Sequence, residues 1–191
     1  EATVIGQGID MNIFGKKVSS LGSSSTPLNV AKAFIDSYFE QPAIANNPYQ
    51  DVTMSVINTS FLEQTAEQLD NIAALIYSGN EYEFESFKKA LINAENYGSG
   101  HYGDTNNSYI DVFDFAQILN QSLYSGTLKN MATNFLLFKP YLIPYNLKKG
   151  YKYKNSNGVS IFLPKNSSAW YNGNINWKQY EAIDYGQKHL W

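Results

Sequence analysis

Apolar positions along this chain switch between two periods, and the switches mark out its elements. From Pro27 onward, Val30, Ala31, Phe34, Ile35 and Tyr38 recur at helical spacing. A proline in the first turn of such a helix gives up only an amide that would have no helical partner. The pattern stops before Pro42. Val52 to Ile57 alternates instead and is rich in β-branched residues, which predicts a strand. The strand runs into Ser60-Phe61-Leu62-Glu63, the spacing of a capping box. The helix predicted after it carries an apolar stripe of Leu62, Ala66, Leu69, Ala73 and Ile76, and Gly79 is its expected stop.

Three more helices follow from the same period. Glu81 to Asn96 carries Phe84, Phe87 and Leu91; a second begins at Ser108 as cap, with Asp111 in its first turn, and buries Val112, Ala116, Leu119 and Leu123. A third runs from about Thr127 to Phe138 and is expected to stop at Pro140. After the stretch Lys148 to Asn157, the short apolar run from Gly158 to Pro164 reads as a buried strand, and Trp177 to Trp191 as a closing helix. Glu1 to Asp10 reads as an extended stretch entering a loop, and Ser19 to Pro27 as a surface loop. Alternating strands and helices predict an α/β fold in one region, residues 1–191. Its strands near 52–57 and 159–163 are expected in one sheet, with the helices after Ser60 and near Trp177 packed against it and a mainly helical insertion at about 81–147.

Composition narrows what such a chain can do. With 43% hydrophobic and 16% charged residues, it has the material for a packed core and should fold. A net charge of −3, with lysines in scattered pairs, leaves no basic stripe for nucleic acid. No apolar run reaches the length that spans a bilayer, and Glu1-Ala2-Thr3 lacks the basic start of a signal peptide, which is either absent or already removed. The chain has no cysteine, so it holds no disulfide and supplies no thiolate nucleophile. All fourteen basic residues are lysine. The codon usage of an AT-rich genome accounts for this.

Candidate chemistry is sparse. His101 lies in a glycine-rich loop and His189 near the end, neither beside a recognisable nucleophile, and two lone histidines make no metal site. Asp104 to Ser108 opens like a calcium loop, but Tyr109 and Phe115 stand where the glycine and the bidentate glutamate would be needed. No cofactor is expected. Trp170, Tyr171 and Trp177 could stack on sugar rings or lock the last helix onto the core.

Two segments carry a resemblance. The first is Thr53-Met54-Ser55-Val56-Ile57-Asn58-Thr59-Ser60 with Leu69-Asp70-Asn71-Ile72-Ala73 after it. The second is Gly158-Val159-Ser160-Ile161-Phe162-Leu163-Pro164 with Tyr180, Tyr185 and Trp191 downstream. Both resemble the clostripain family of cysteine peptidases, in the same order and at similar separation. Glu1 to Met11 is similar to that family's stretch downstream of the catalytic cysteine, with Ile9 and Met11 replacing a tryptophan and a tyrosine.

The resemblance implies the C-terminal part of a caspase-like α/β/α sandwich. It implies that this part is structural and cleft-forming in an endopeptidase that cleaves after basic residues, and a preference for arginine over lysine would let such an enzyme spare a chain whose basic residues are all lysine. The His/Cys dyad and an Asp-x-Cys motif would lie upstream, in the N-terminal part of the same peptidase, so no catalytic residue is assigned here. Asp10 would lie near the specificity pocket, where a carboxylate can pair with a substrate lysine or arginine; a solvated loop carboxylate is the other reading of the same residue. The implied partners are that N-terminal part and a peptide or protein substrate, and the implied location is the outside or surface of a bacterial cell, commonly after internal cleavage. A non-catalytic extracellular module that binds peptide or glycan through exposed aromatics is the alternative.

Overall fold

The structure is a computed structural model that describes residues 8–98 and 108–164 together with Ala182 and Lys188. The chain separates into two compact units, where the sequence reads as one region. The first comprises residues 1–57 and 143–158, and the second residues 58–142 and 159–191.

In the first unit, α1 (Met11–Ser20) has no buried residue and α2 (Pro27–Glu40) buries Ala33, Ile35, Ser37 and Tyr38. Thr26 caps α2 by accepting from the Asn29 amide at 3.3 Å, with Pro27 in the first turn as predicted. A single short turn of helix, α3 (Pro42–Ala45), follows, and Ile44 packs with Tyr38 and Val52. Strand β1 (Val52–Val56) pairs antiparallel with β3 (Tyr145–Lys149), Val52 opposite Lys149 and Val56 opposite Tyr145.

The pleat puts Thr53 and Ser55 on one face of β1, and both are buried. Their hydroxyls are satisfied by the segment that crosses this face: Thr53 Oγ1 shares a hydrogen bond with Ser156 Oγ at 2.8 Å, and Ser55 Oγ donates to the Gly158 carbonyl at 2.6 Å. Asn146 Nδ2 adds donations to Thr53 Oγ1 and the Met54 carbonyl, each at 3.1 Å. Gly158 has φ of 99°, and a Cβ there would lie 2.5 Å from the Cβ of Ser55. Only glycine permits that approach.

The second unit is mainly helical. Asn58 accepts the Ser60 amide and opens a 3-10 turn, Thr59–Phe61, before α4 (Leu62–Ser78). Then come α5 (Glu81–Asn93), β2 (Tyr109–Asp111), α6 (Val112–Ser122) and α7 (Thr127–Leu142). Strand β4 (Ser160–Phe162) pairs antiparallel with β2. The core lies between α4, α6 and α7, where Leu69, Phe113, Phe115, Leu119 and Phe135 are fully buried and the Phe113 and Phe135 rings stack at 4.8 Å.

Both helices and strands are present, so the α/β class holds, as does the helical character of the stretch from α5 to α7. Several expectations need correction. Strands β1 and β4 lie in separate two-stranded sheets rather than one. Each finds its ladder partner in a segment with no visible strand pattern, Tyr145–Lys149 and Tyr109–Asp111. Helix α4 packs on α7. The helical stretch ends at Leu142, since β3 starts at Tyr145, and it includes β2.

The caps differ too. The Ser60/Glu63 box does not form, because Asn58 captures the Ser60 amide first; the box that does form is Asn80 with Glu83, at the start of α5. Asp111, not Ser108, caps α6, accepting from Phe113 and Asp114. Helix α7 continues past Pro140 to Leu142. In α4 the buried face is Thr65, Ala66, Leu69, Ile72 and Ile76, while Leu62 is 47% exposed. The expected extended start through residue 7 and the closing helix lie outside the described residues, save for Ala182 and Lys188, both helical.

Candidate functional site

The residue singled out by the sequence, Asp10, is not a loop carboxylate. It is the N-cap of α1, with extended backbone at φ of −73° and ψ of 104°. Its Oδ1 accepts the amides of Asn12 at 2.8 Å and Ile13 at 3.3 Å, two of the donors that a helix start leaves without partners. Both bonds fall on one oxygen, so among the described residues Oδ2 remains free to accept. Asp10 is half-buried.

Behind it stands Gln41, at the junction of α2 and α3. The Asp10 amide donates to Gln41 Oε1 at 3.0 Å, across 31 positions of sequence. Sequence reasoning missed this partner, since nothing local marks a glutamine before Pro42 as a long-range acceptor. Further along α1, Phe14 meets Phe34 edge to face at 5.6 Å, and Lys17 pairs with Glu40 at 2.7 Å. Positions 10, 14 and 17 thus form the face of α1 that lies on α2.

Phe14, one turn after Asp10, also lines an apolar groove of about 620 Å³. Pro27, Val30, Phe34 and Ile35 of the α2 segment form one wall, and Met54 and Val56 of β1 another. The half-buried Asp10 stands one helical turn before Phe14, at the side of this groove from which α1 starts.

A second polar cluster lies where α2 meets β3. The Tyr145 hydroxyl donates to Asp36 Oδ1, and Lys32 Nζ stands 5.4 Å from the Tyr145 ring centre. Burial, the hydrogen bond to Asp36 and the negative charges of Asp36 and Glu40 push the Tyr145 phenol up to about 12. At neutral pH it is a fixed hydrogen-bond donor and not a proton acceptor. In the other unit, Asp111 is fully buried and its Oδ2 accepts from the Tyr97 hydroxyl at 2.6 Å.

His101, His189, Trp170, Tyr171, Trp177 and the stretch 104–107 lie outside the described residues. Among the described residues no group of three or more potential ligands could hold a metal ion, and no helix is long and apolar enough to cross a membrane.

The family model described as the clostripain family matches residues 1–191. No curated protein and no solved structure matches the chain. The family match spans both units, including β1 with its polar turn and β4 after Gly158, the two segments on which the sequence resemblance rests. The chain belongs to the clostripain family.

Proposed function

We propose that this chain is the cleft-forming and structural C-terminal part of a clostripain-like cysteine endopeptidase that cleaves after basic residues, arginine in preference to lysine. The observation that carries the reading is the family match over a chain without cysteine: a cysteine peptidase needs a thiolate, and these residues supply none. The His/Cys dyad then comes from an upstream part of the same peptidase, and the protein works outside the cell or at the surface of a bacterium. In this reading Asp10 pairs with the cationic head of the substrate side chain through Oδ2, while the groove that begins at Phe14 takes apolar stem. A guanidinium presents a planar fork of donors to a carboxylate, whereas an ammonium is a point charge, which makes a preference for arginine physically accessible.

The test is kcat/KM on a matched pair of peptides ending in arginine or lysine, with the peptidase including its upstream part and with these 191 residues alone. The longer protein should favour arginine, and the shorter one should hydrolyse neither. Thiol-independent turnover by the 191 residues refutes the division of labour, and equal or better cleavage after lysine removes the arginine preference.

A further inference from the structure

We infer that Gln41 is a positioning residue for Asp10: its amide oxygen fixes the backbone from which the Asp10 carboxylate meets a basic side chain. The inference rests on the assignment of Asp10 proposed above, and it begins from an imbalance in how Gln41 is bonded.

Gln41 is 5% exposed and its backbone is fully engaged. Its amide donates to the Ser37 carbonyl at 3.2 Å, and its carbonyl accepts from Ile44 at 2.9 Å and Ala45 at 2.8 Å. The side chain therefore projects from a fixed point. Its Oε1 takes the Asp10 amide, and that bond sets which way the carboxamide faces, because a flipped amide would set two donors against each other. Among the described residues Nε2 is left buried with no hydrogen-bond partner.

A buried donor without an acceptor is unfavourable, and native proteins carry few of them. A side chain kept only for packing would do better as methionine, which fills a similar volume and strands no donor of its own. What glutamine supplies and methionine does not is the acceptor for Asp10. The later turns of α1 have their own anchors in Phe34 and Glu40, and among the described residues the bond to Gln41 holds the first turn, where the carboxylate is mounted.

The two basic side chains would feel its loss unequally. The guanidinium fork needs the carboxylate in one orientation, while an ammonium follows a carboxylate that shifts. Loosening the first turn of α1 should therefore cost arginine substrates more than lysine substrates.

The experiment compares Gln41→Met and Asp10→Asn with the unaltered peptidase, its upstream part included. It measures kcat/KM on the matched arginine and lysine peptides and the midpoint of thermal unfolding. For Gln41→Met the ratio of arginine to lysine cleavage should fall roughly tenfold, in line with the steep dependence of rate on small misplacements. The unfolding midpoint should change little, since the stranded Nε2 leaves with the glutamine while the half-buried Asp10 amide loses its acceptor. Gln41→Leu, which also lacks an acceptor, serves if the methionine variant does not fold.

An unchanged ratio in the Gln41 variant, while Asp10→Asn collapses it, overturns the inference and leaves Asp10 in its role. An equal loss on both peptides with a lower midpoint also overturns it, since that is the signature of a residue needed only for the fold. If Asp10→Asn changes neither rate, the reading of Asp10 fails and Gln41 loses its part with it.

Discussion

Gly158→Ala should be among the most damaging single-methyl additions available to this protein. At φ of 99° the backbone of residue 158 is one that alanine adopts only with strain, about 1–2 kcal/mol. The added Cβ would lie 2.5 Å from the Ser55 Cβ, 2.8 Å from its Oγ and 3.0 Å from Asn146 Nδ2. Carbon atoms rest at about 3.5–4 Å, so the strand or the crossing segment has to move by about an ångström, an overpacking cost of about 1–3 kcal/mol. That movement pulls on the 2.6 Å bond from Ser55 Oγ to the Gly158 carbonyl. Losing it adds about 0.5–1.5 kcal/mol.

The sum is about 2.5–6.5 kcal/mol, a large share of the roughly 5–15 kcal/mol by which domains are stable. Equilibrium urea unfolding followed by far-UV circular dichroism measures it. Combining the change with Ser55→Gly removes the carbon that the new methyl strikes, so the pair should couple favourably by about 1–3 kcal/mol while the φ strain stays. A loss within about 0.5 kcal/mol of zero for Gly158→Ala, or additive effects in the double variant, would refute the close-approach argument.

Two further outcomes follow from the packing and the titration. Leu69→Ala removes a side chain that is 2% exposed at the centre of the α4 face, and should cost about 2–5 kcal/mol in the same urea assay; under about half a kcal/mol would mean the site collapses without a cavity. Tyr145 holds its proton up to about pH 12 in the folded protein but only to about 10 when unfolded, so its contribution to stability is complete below pH 10 and is lost as pH rises from 10 to 12. Tyr145→Phe should flatten that part of the stability profile, and matching slopes for the two proteins would show that burial and Asp36 do not raise the phenol in the folded protein.

What was legible in the sequence was whatever hid an apolar face. The stripe of α2 and most of that of α4 follow from spacing alone, because burial selects apolar residues at helical intervals. Helix α1 was invisible for the complementary reason: it buries no residue, so Met11–Ser20 shows no stripe, and its one marker, Asp10, reads equally well as a loop carboxylate. Strand β3 was hidden by composition. Its two lysines are there to reach carbonyls, Lys148 that of Ser156 and Lys149 those of Ile44 and Ala45, and the alternation is lost among them. The capping boxes show how local rules compete: Ser60 and Asn80 both stand three residues before a glutamate, and only a third party, Asn58, decides between them. Asp10 itself came from the resemblance, and Gln41 could come only from coordinates, because the bond joining them spans 31 positions and no local pattern encodes it.

The pairing of β1 with β3 also sets a schedule for the ribosome. Val52 meets Lys149, and the chain between them includes the whole of residues 58–142, which belong to the other unit. At about 5–20 residues per second, the roughly one hundred intervening residues take about 5–20 s to make. For that interval β1 has emerged without its ladder partner, and Thr53 and Ser55 lack the Ser156 and Gly158 groups that later cover them. A second nascent chain in the same state presents the same strand. Slow translation or crowded polysomes should therefore favour intermolecular pairing at Val52–Val56, and a chaperone that binds short extended segments would find its substrate there.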